Sequence, residues 1–399
     1  MKSNSGQNNP VNPLQKPLFL WSLPFIFLYF SLPIVSKNFG ASAFEIGGLF
    51  TVFTLTTLLI RPIIGWLLDR FGRKIFLEIA LIVYAASMGV FAFSVSLDWL
   101  YLARLIQGIG SALLWASVNT IIADTTPAEK RGKALGKLNE TTTRGGLIGM
   151  VAAAIPMYIF PQDYSWKLIF IVYTILTLVG AGLAWKHVPD TRILQHTNQQ
   201  RPILSGPLLK LLIFVLIIAI PEAMLNPIYL IYLQDKFTTD TMTIALAFFP
   251  AGLAAAFLSA RLGAMGDHHG RVPTMAIGLV GAGVISLLMP SLSSLIWLAV
   301  LYTLSTIMWA IFDPAATAMV ADLIEGDRLG MGYGVYDFVK NLGYSVGPLL
   351  GGLLYDTVGK EVPFYINGIV LILSAGVGLM LLRKSPVSKT AVPVSDGKG

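Results

Sequence analysis

The sequence predicts an all-α membrane protein, with twelve transmembrane helices in two pseudosymmetric six-helix bundles. Three observations lead there. Apolar runs of about twenty residues, each enough to cross a bilayer as a helix, recur along the 399-residue chain. Hydrophobic residues make up 55% of it and charged residues only 12%, against about 25% charged in soluble proteins. The cations collect on alternate loops. Finally, a charged turn between two apolar runs, Gly65-Trp66-Leu67-Leu68-Asp69-Arg70-Phe71-Gly72-Arg73-Lys74, has a counterpart 198 residues later in Gly263-Ala264-Met265-Gly266-Asp267-His268-His269-Gly270-Arg271. Gly, Asp, Gly and Arg fall at the same four positions of both.

Composition also excludes. A β-barrel would show short segments of alternating hydrophobicity, and the chain has none. There is no cysteine, so disulfide and thiol chemistry are ruled out. The net charge of +7 is explained by loop cations, and no nucleic acid is expected as a partner.

The spans run approximately over 17–36, 44–68, 75–96, 99–122, 134–160, 166–186, 207–232, 241–264, 273–290, 295–320, 332–355 and 363–382. Residues 1–16, rich in Ser, Asn, Gln and Pro, are expected to be a disordered tail, and the first span to act as its own insertion signal. Spans over 17–186 form the N-terminal bundle. Residues 187–206 are a polar cytoplasmic linker, 207–383 the C-terminal bundle, and 384–399 a second disordered tail. With both termini inside, cytoplasmic segments and helix ends hold 20 Lys and Arg, the outer side four, and the interiors of the spans four (Arg61, Arg104, Arg144, Lys340). That asymmetry is the positive-inside signal and fits a multi-pass protein of the cell (plasma) membrane.

The repeat extends through one ungapped register. At the offset of 198, Ala123-Asp124 matches Ala321-Asp322, Gly132 matches Gly330, Gly136 matches Gly334, Gly145 matches Gly343 and Gly149 matches Gly347. Two halves of one ancestry, each of six helices, form one known transporter architecture.

These residues resemble the major facilitator superfamily over essentially the whole chain, and within it the drug/proton antiporter branch. Gly65-x-Leu67-x-Asp69-Arg70-x-Gly72-Arg73-Lys74 resembles its loop signature between helices 2 and 3. Arg104-x-x-Gln107-Gly108-x-Gly110 resembles its helix 4 signature, and Pro127-x-x-x-Arg131-Gly132-x-Ala134-x-Gly136 the start of its helix 5. The antiporter pattern G-x-x-x-G-P-x-x-G-G is complete in the eleventh span as Gly343, Gly347, Pro348, Gly351 and Gly352. The fifth span has Gly145, Gly149, Met150, Ala153 and Ala154 at those positions.

Asp69 is placed to face the positive N-terminal end of a helix. The resemblance implies that this is the eleventh, starting near Gly332, and that Asp267 does the same with the fifth, near Ala134. With Arg70, Arg73, Asp124, Arg131 and Arg271 they would form a cytoplasmic gate. Glu222 lies near the midplane of the seventh span between Pro221 and Pro227, which free backbone carbonyls and kink the helix. Asp313 precedes Pro314 in the tenth. A carboxyl inside the membrane is costly to keep charged, which suits a group that takes up and releases protons. Glu222 and Asp313 are therefore the candidates for proton coupling.

Arg104, in the outer third of the fourth span, must face protein or water; the resemblance implies a part in proton coupling or substrate binding. Glu140 and Arg144, four apart, share a helix face, as do Asp337 and Lys340, three apart on the matching span. They form either a polar path or two self-compensating pairs. Tyr29, Trp115, Asn119, Asn226 and Tyr229 are candidates for a substrate cavity.

No Gly-x-x-x-x-Gly-Lys-Ser/Thr loop occurs, so an ion gradient rather than ATP is the expected energy source. No enzymatic nucleophile–base set is visible, and no cofactor or metal is expected. The reading is a monomeric secondary transporter exporting small amphipathic or lipophilic compounds against protons by alternating access. A sugar or organic-anion carrier, a lipid or glycolipid translocase, and a non-transporting membrane sensor remain as alternatives. If Asp69 latches the inner gate, Asp69→Asn shifts the protein towards the inward-open state. Accessibility labelling and flux that both match the unaltered protein would refute the latch.

Overall fold

The computed structural model describes residues 11–191, 205–238, 240–263, 265–324 and 329–382. Among them every regular element is helical: α1 (Asn12–Ser22), α2 (Pro24–Asn38), α3 (Ala43–Phe71), α4 (Arg73–Ala92), α5 (Leu97–Thr125), α6 (Ala128–Ile159), α7 (Gln162–His187), α8 (Gly206–Lys236), α9 (Thr241–Gly263), α10 (Met265–His269), α11 (Arg271–Leu288), α12 (Leu295–Leu323), α13 (Leu329–Thr357) and α14 (Val362–Leu381). The short α10 belongs to the second copy of the charged turn. Joining α1 to α2 leaves twelve membrane passages. Among the described residues, nine stretches are apolar and long enough to span a bilayer by length and composition alone. α6, α9 and α13 fall outside that criterion: α9 has only the shorter apolar stretch Leu246–Ala255, and α6 and α13 each carry an acidic and a basic residue in the middle turns (Glu140 and Arg144; Asp337 and Lys340).

The first span starts at Asn12, inside the stretch expected to be a disordered tail. Val11, Leu14 and Leu18 are buried, so apolar burial carries the helix back through residues that composition marks as polar. Pro13 sits in its first turn, where a missing N–H costs nothing. The span is divided at Leu23, before Pro24. Most of the expected linker and all of the tail after 383 lie outside the described residues.

The described chain forms two compact units. Unit 1 holds α1–α7, together with Pro227–Ile231 of α8 and Pro348–Asp356 of α13. Unit 2 holds the rest of α8, α9–α12, α13 up to Gly347, and α14. Each has the same internal arrangement. In unit 1, α4 packs on α5 and α7, and α3 packs on α5. In unit 2, α11 packs on α12 and α14, and α9 packs on α12. Large apolar side chains such as Leu59, Val151, Ile155, Ile296 and Met380 are exposed, the pattern of helices solvated by hydrocarbon rather than water.

Without a strong hydrophobic drive between helices in lipid, close approach at small residues supplies the association. In unit 1 a methyl group at Gly145 would overlap Ser22, and one at Gly149 would overlap the Leu23 carbonyl. The Tyr173 hydroxyl donates to the Gly149 carbonyl at 2.9 Å. In unit 2 a methyl at Gly343 would lie 2.6 Å from Ala219 Cβ, and one at Gly347 would lie 2.5 Å from the Ile220 carbonyl oxygen. The matched glycines thus do the same job twice, seating α6 on α1 and α2, and α13 on α8.

Gly149→Ala should therefore destabilise unit 1 by about 1–3 kcal/mol, the usual cost of overpacking. Gly136→Ala, where a methyl meets nothing within 4 Å, should not. Thermal unfolding in detergent checks both, and equal melting temperatures would remove the close-packing explanation.

Candidate functional site

A cluster of ionisable groups lies in unit 2, where three helices converge. α12 contributes Asp313, α13 contributes Lys340 and Tyr344, and α8 contributes Glu222. Lys340 Nζ donates to Asp313 Oδ1 at 2.6 Å. The Tyr344 hydroxyl bonds the Glu222 carboxyl, and Asp313 and Lys340 are near enough for their charges to act on it. Lys340 also lies over the Tyr344 ring, 5.6 Å from its centroid. Tyr336, buried on α13, lies within electrostatic reach of all three ionisable groups. Two carboxylates and one ammonium thus share a site walled by aromatic rings.

The helix context accounts for the placement. Pro221 and Pro227 flank Glu222, and Pro314 follows Asp313, so neither stretch can complete its internal hydrogen-bond ladder. Lys340 and Tyr344 are one turn apart on α13 and so share a face. The expected intrahelical pair of Asp337 with Lys340 does not form. Asp337 is exposed, and Lys340 turns to Asp313 instead. Residues three apart on a helix differ by about 60° in direction, enough here to point one outward and the other into the unit. The other expected pair does form: Arg144 donates to Glu140, with both side chains exposed.

Unit 1 holds a buried cation in a different setting. Arg104, only 5% exposed, donates from Nη1 to Gln107 Oε1 at 2.8 Å. Gln107 Nε2 in turn donates to the Tyr84 hydroxyl at 2.9 Å. The guanidinium is flanked by Phe50 and Phe53, with centroids 4.9 and 5.0 Å away. Ring faces of this kind partly offset the cost of burying a charge. Its hydrogen bond goes to an amide rather than a carboxylate, and its Nε has no partner. Trp21 joins the same region, 5.3 Å from Tyr84 and 5.8 Å from Trp115. The glycines of this motif let α5 approach its neighbours: a methyl at Gly108 would lie 2.8 Å from Thr56 Cβ, and one at Gly110 3.0 Å from the Tyr84 amide nitrogen.

Of the remaining cavity candidates, Tyr29 packs edge-on against Phe50 at 5.7 Å. Asn119 is exposed, and Asn226 and Tyr229 are partly buried. Asn226 belongs to unit 2, whereas Trp115, Asn119, Tyr29 and Tyr229 belong to unit 1.

The gate candidates fall into two matching ion pairs that motif reading left unconnected. Arg73 Nε bonds Asp124 Oδ2 at 3.0 Å, and Arg271 Nε bonds Asp322 Oδ2 at 3.2 Å. Both pairs span 51 residues, so the repeated positions make the same contact in each half. Arg73 Nη1 also reaches the Leu68 carbonyl at 3.1 Å, closing the end of α3. Arg271 holds Asp267 at 2.5 Å. Arg131 donates to the carbonyls of Ala123 and Thr126, and Arg70 lies over Phe71. The Asp69 side chain lies outside the described residues.

The Lys340–Asp313 contact gives a direct test. Lys340→Met should lower the melting temperature by stranding Asp313, and adding Asp313→Asn should recover part of the loss. The coupling between the two should be about 0.5–3 kcal/mol. Additive effects in a double-mutant cycle would show that the contact contributes nothing.

Comparison with known proteins places the chain. The sequence profile of the Major Facilitator Superfamily matches residues 18–220 and 211–398. Multidrug resistance protein 1 of Bacillus subtilis (strain 168) is 24% identical over 362 residues, covering 89% of this chain and 91% of the relative. Quinolone resistance protein NorA of Staphylococcus aureus (strain MSSA476) is 24% identical over 370 residues, covering 90% and 92%. Among solved structures, a bacterial homolog to the human lysosomal transporter Spinster, inward-facing and occupied, superposes with a TM-score of 0.77 at 15% identity, covering 94% and 96%. The nucleoside transporter NupG gives a TM-score of 0.74 at 12% identity, covering 94% and 100%. With both halves matched by the family profile, twelve helices in two like bundles and the fold of solved members, this chain belongs to the Major Facilitator Superfamily and is a transporter, not an enzyme.

Proposed function

We propose that the protein exports small amphipathic or lipophilic organic compounds in exchange for protons. In this reading it works as a monomer in the plasma membrane, by alternating access, with both termini in the cytoplasm. One observation carries the proposal: Glu222, Asp313 and Lys340 form one electrostatic cluster inside unit 2.

Count its charge. With all three groups ionised, two carboxylates against one ammonium leave a single negative charge. Such a site is satisfied by one proton or by one cationic group of a substrate. Taking both would leave it positive in a low-dielectric setting, which is costly. Occupancy by proton and by cation therefore exclude each other, and that exclusion is what exchange requires. Tyr344 holds the Glu222 carboxyl in place while its charge changes. Lys340 keeps Asp313 from standing uncompensated. The surrounding rings offer the apolar contact that an amphipathic cation needs.

The names of the B. subtilis and S. aureus relatives support export of drug-like compounds. A second reading, an organic-anion or sugar carrier, is favoured by Arg104, a buried guanidinium whose hydrogen bond goes to an amide and not to a carboxylate. A zwitterionic substrate would satisfy both ends.

The test is a ligand screen in proteoliposomes under an imposed pH gradient, with lumenal pH followed by an entrapped dye. A transported cation should move protons the opposite way. Glu222→Gln and Asp313→Asn should each abolish substrate-induced proton movement. Proton flux that persists in both variants would remove the cluster from the coupling mechanism.

A further inference from the structure

One carboxylate outside this cluster is bound in a way that proton exchange does not use. Asp356 sits in the last turn of α13, in the portion that belongs to unit 1. Its Oδ1 accepts from the Ala43 amide at 3.2 Å, and its Oδ2 from the Phe44 amide at 2.7 Å. These are the first two amides of α3, and 313 and 312 residues separate the partners. A negative group at a helix N-terminus is favoured by both hydrogen bonding and the helix dipole.

α3 does not need this contact in order to start. Ser42 and Glu45 already form a complete capping box: Ser42 Oγ accepts from the Glu45 amide, and Glu45 Oε2 accepts from the Ser42 amide at 2.8 Å. Asp356 is a second cap, brought from a distant helix. The backbones meet through glycine on both sides. A methyl at Gly47 would overlap the Pro348 carbonyl, and one at Gly352 would overlap the Ala43 carbonyl. Asp356 is nonetheless exposed, so water can take over its bonds when the helices part. An exposed, charged, doubly bonded contact over a glycine crossing is inexpensive to break and specific when made. Asp356 ends the stretch of α13 that belongs to unit 1, and the helix up to Gly347 belongs to unit 2.

We propose that Asp356 and the N-terminus of α3 form a reversible latch, which holds the end of α13 against α3 and releases during the transport cycle. By the charge asymmetry of the loops, this is the outer end of the protein.

The cysteine-free chain makes the test direct. Ala43→Cys places a reporter thiol beneath the contact, at a side chain that is 4% exposed. Its reaction with a maleimide is followed in detergent micelles, where the assignment of sides plays no part. On an otherwise unaltered background, labelling should be slow but measurable, because the latch opens. Asp356→Ala, which removes two bonds to a charged acceptor, should speed it by about tenfold or more. Gly352→Ala, which forces the backbones apart and keeps the charge, should act in the same direction. Ala80→Cys, at a fully buried position of α4, supplies a control thiol that reports on general loosening and should stay unlabelled. The latch is overturned if neither variant changes the labelling rate of the reporter thiol in protein that elutes normally on gel filtration. It is equally overturned if the control thiol becomes labelled together with the reporter, because Asp356 would then only hold unit 1 together.

Discussion

A charge inside a membrane has no water to turn to, and this constraint arranges most of what is specific about the protein. Its interior cations have found different answers. Lys340 takes a carboxylate on a neighbouring helix. Arg104 takes an amide and two ring faces. Arg73 and Arg271, at the ends of their helices, take an aspartate and thereby pin the turn between two passes to a third helix. The glycine crossings serve the same end. Helices approach closely at Gly145, Gly149, Gly343 and Gly347, and at one of these crossings the Tyr173 hydroxyl reaches the Gly149 carbonyl.

Architecture was legible because it depends on local quantities. Apolar run length fixes the passes, and cation counts fix the expected sides. A constant offset of 198 exposes the duplication, and the two like helix arrangements give it a physical meaning. Glu222 and Asp313 could be singled out because an acid beside proline in an apolar run is conspicuous by itself.

Partner choice was harder to read, because it depends on the direction in which side chains leave packed helices. Lys340 sits three residues from Asp337 but points to Asp313, 27 residues back along the chain. Tyr344 gave no signal until α8 and α13 were packed together. The start of α1 was missed for the opposite reason: polar composition suggested a tail, whereas Val11 and Leu14 within it had a surface to bury against. The Arg73–Asp124 pair was hidden for the first of these reasons: the repeat marks both positions but not that they meet.

A single negative charge in the unit 2 cluster, the state proposed above with all three groups ionised, would have an energetic consequence. If one proton and one monovalent cation replace each other there, every turnover carries equal charge in both directions. The membrane voltage, worth about 2.3 kcal/mol per charge per 100 mV, then does no work, and the concentration gradient of protons alone sets how far a cargo can be accumulated. A zwitterionic cargo breaks that balance, because its anionic end needs an answer elsewhere and its transfer moves no net charge. The voltage then acts on the returning proton, and cargo charge alone decides whether transport is electrically silent.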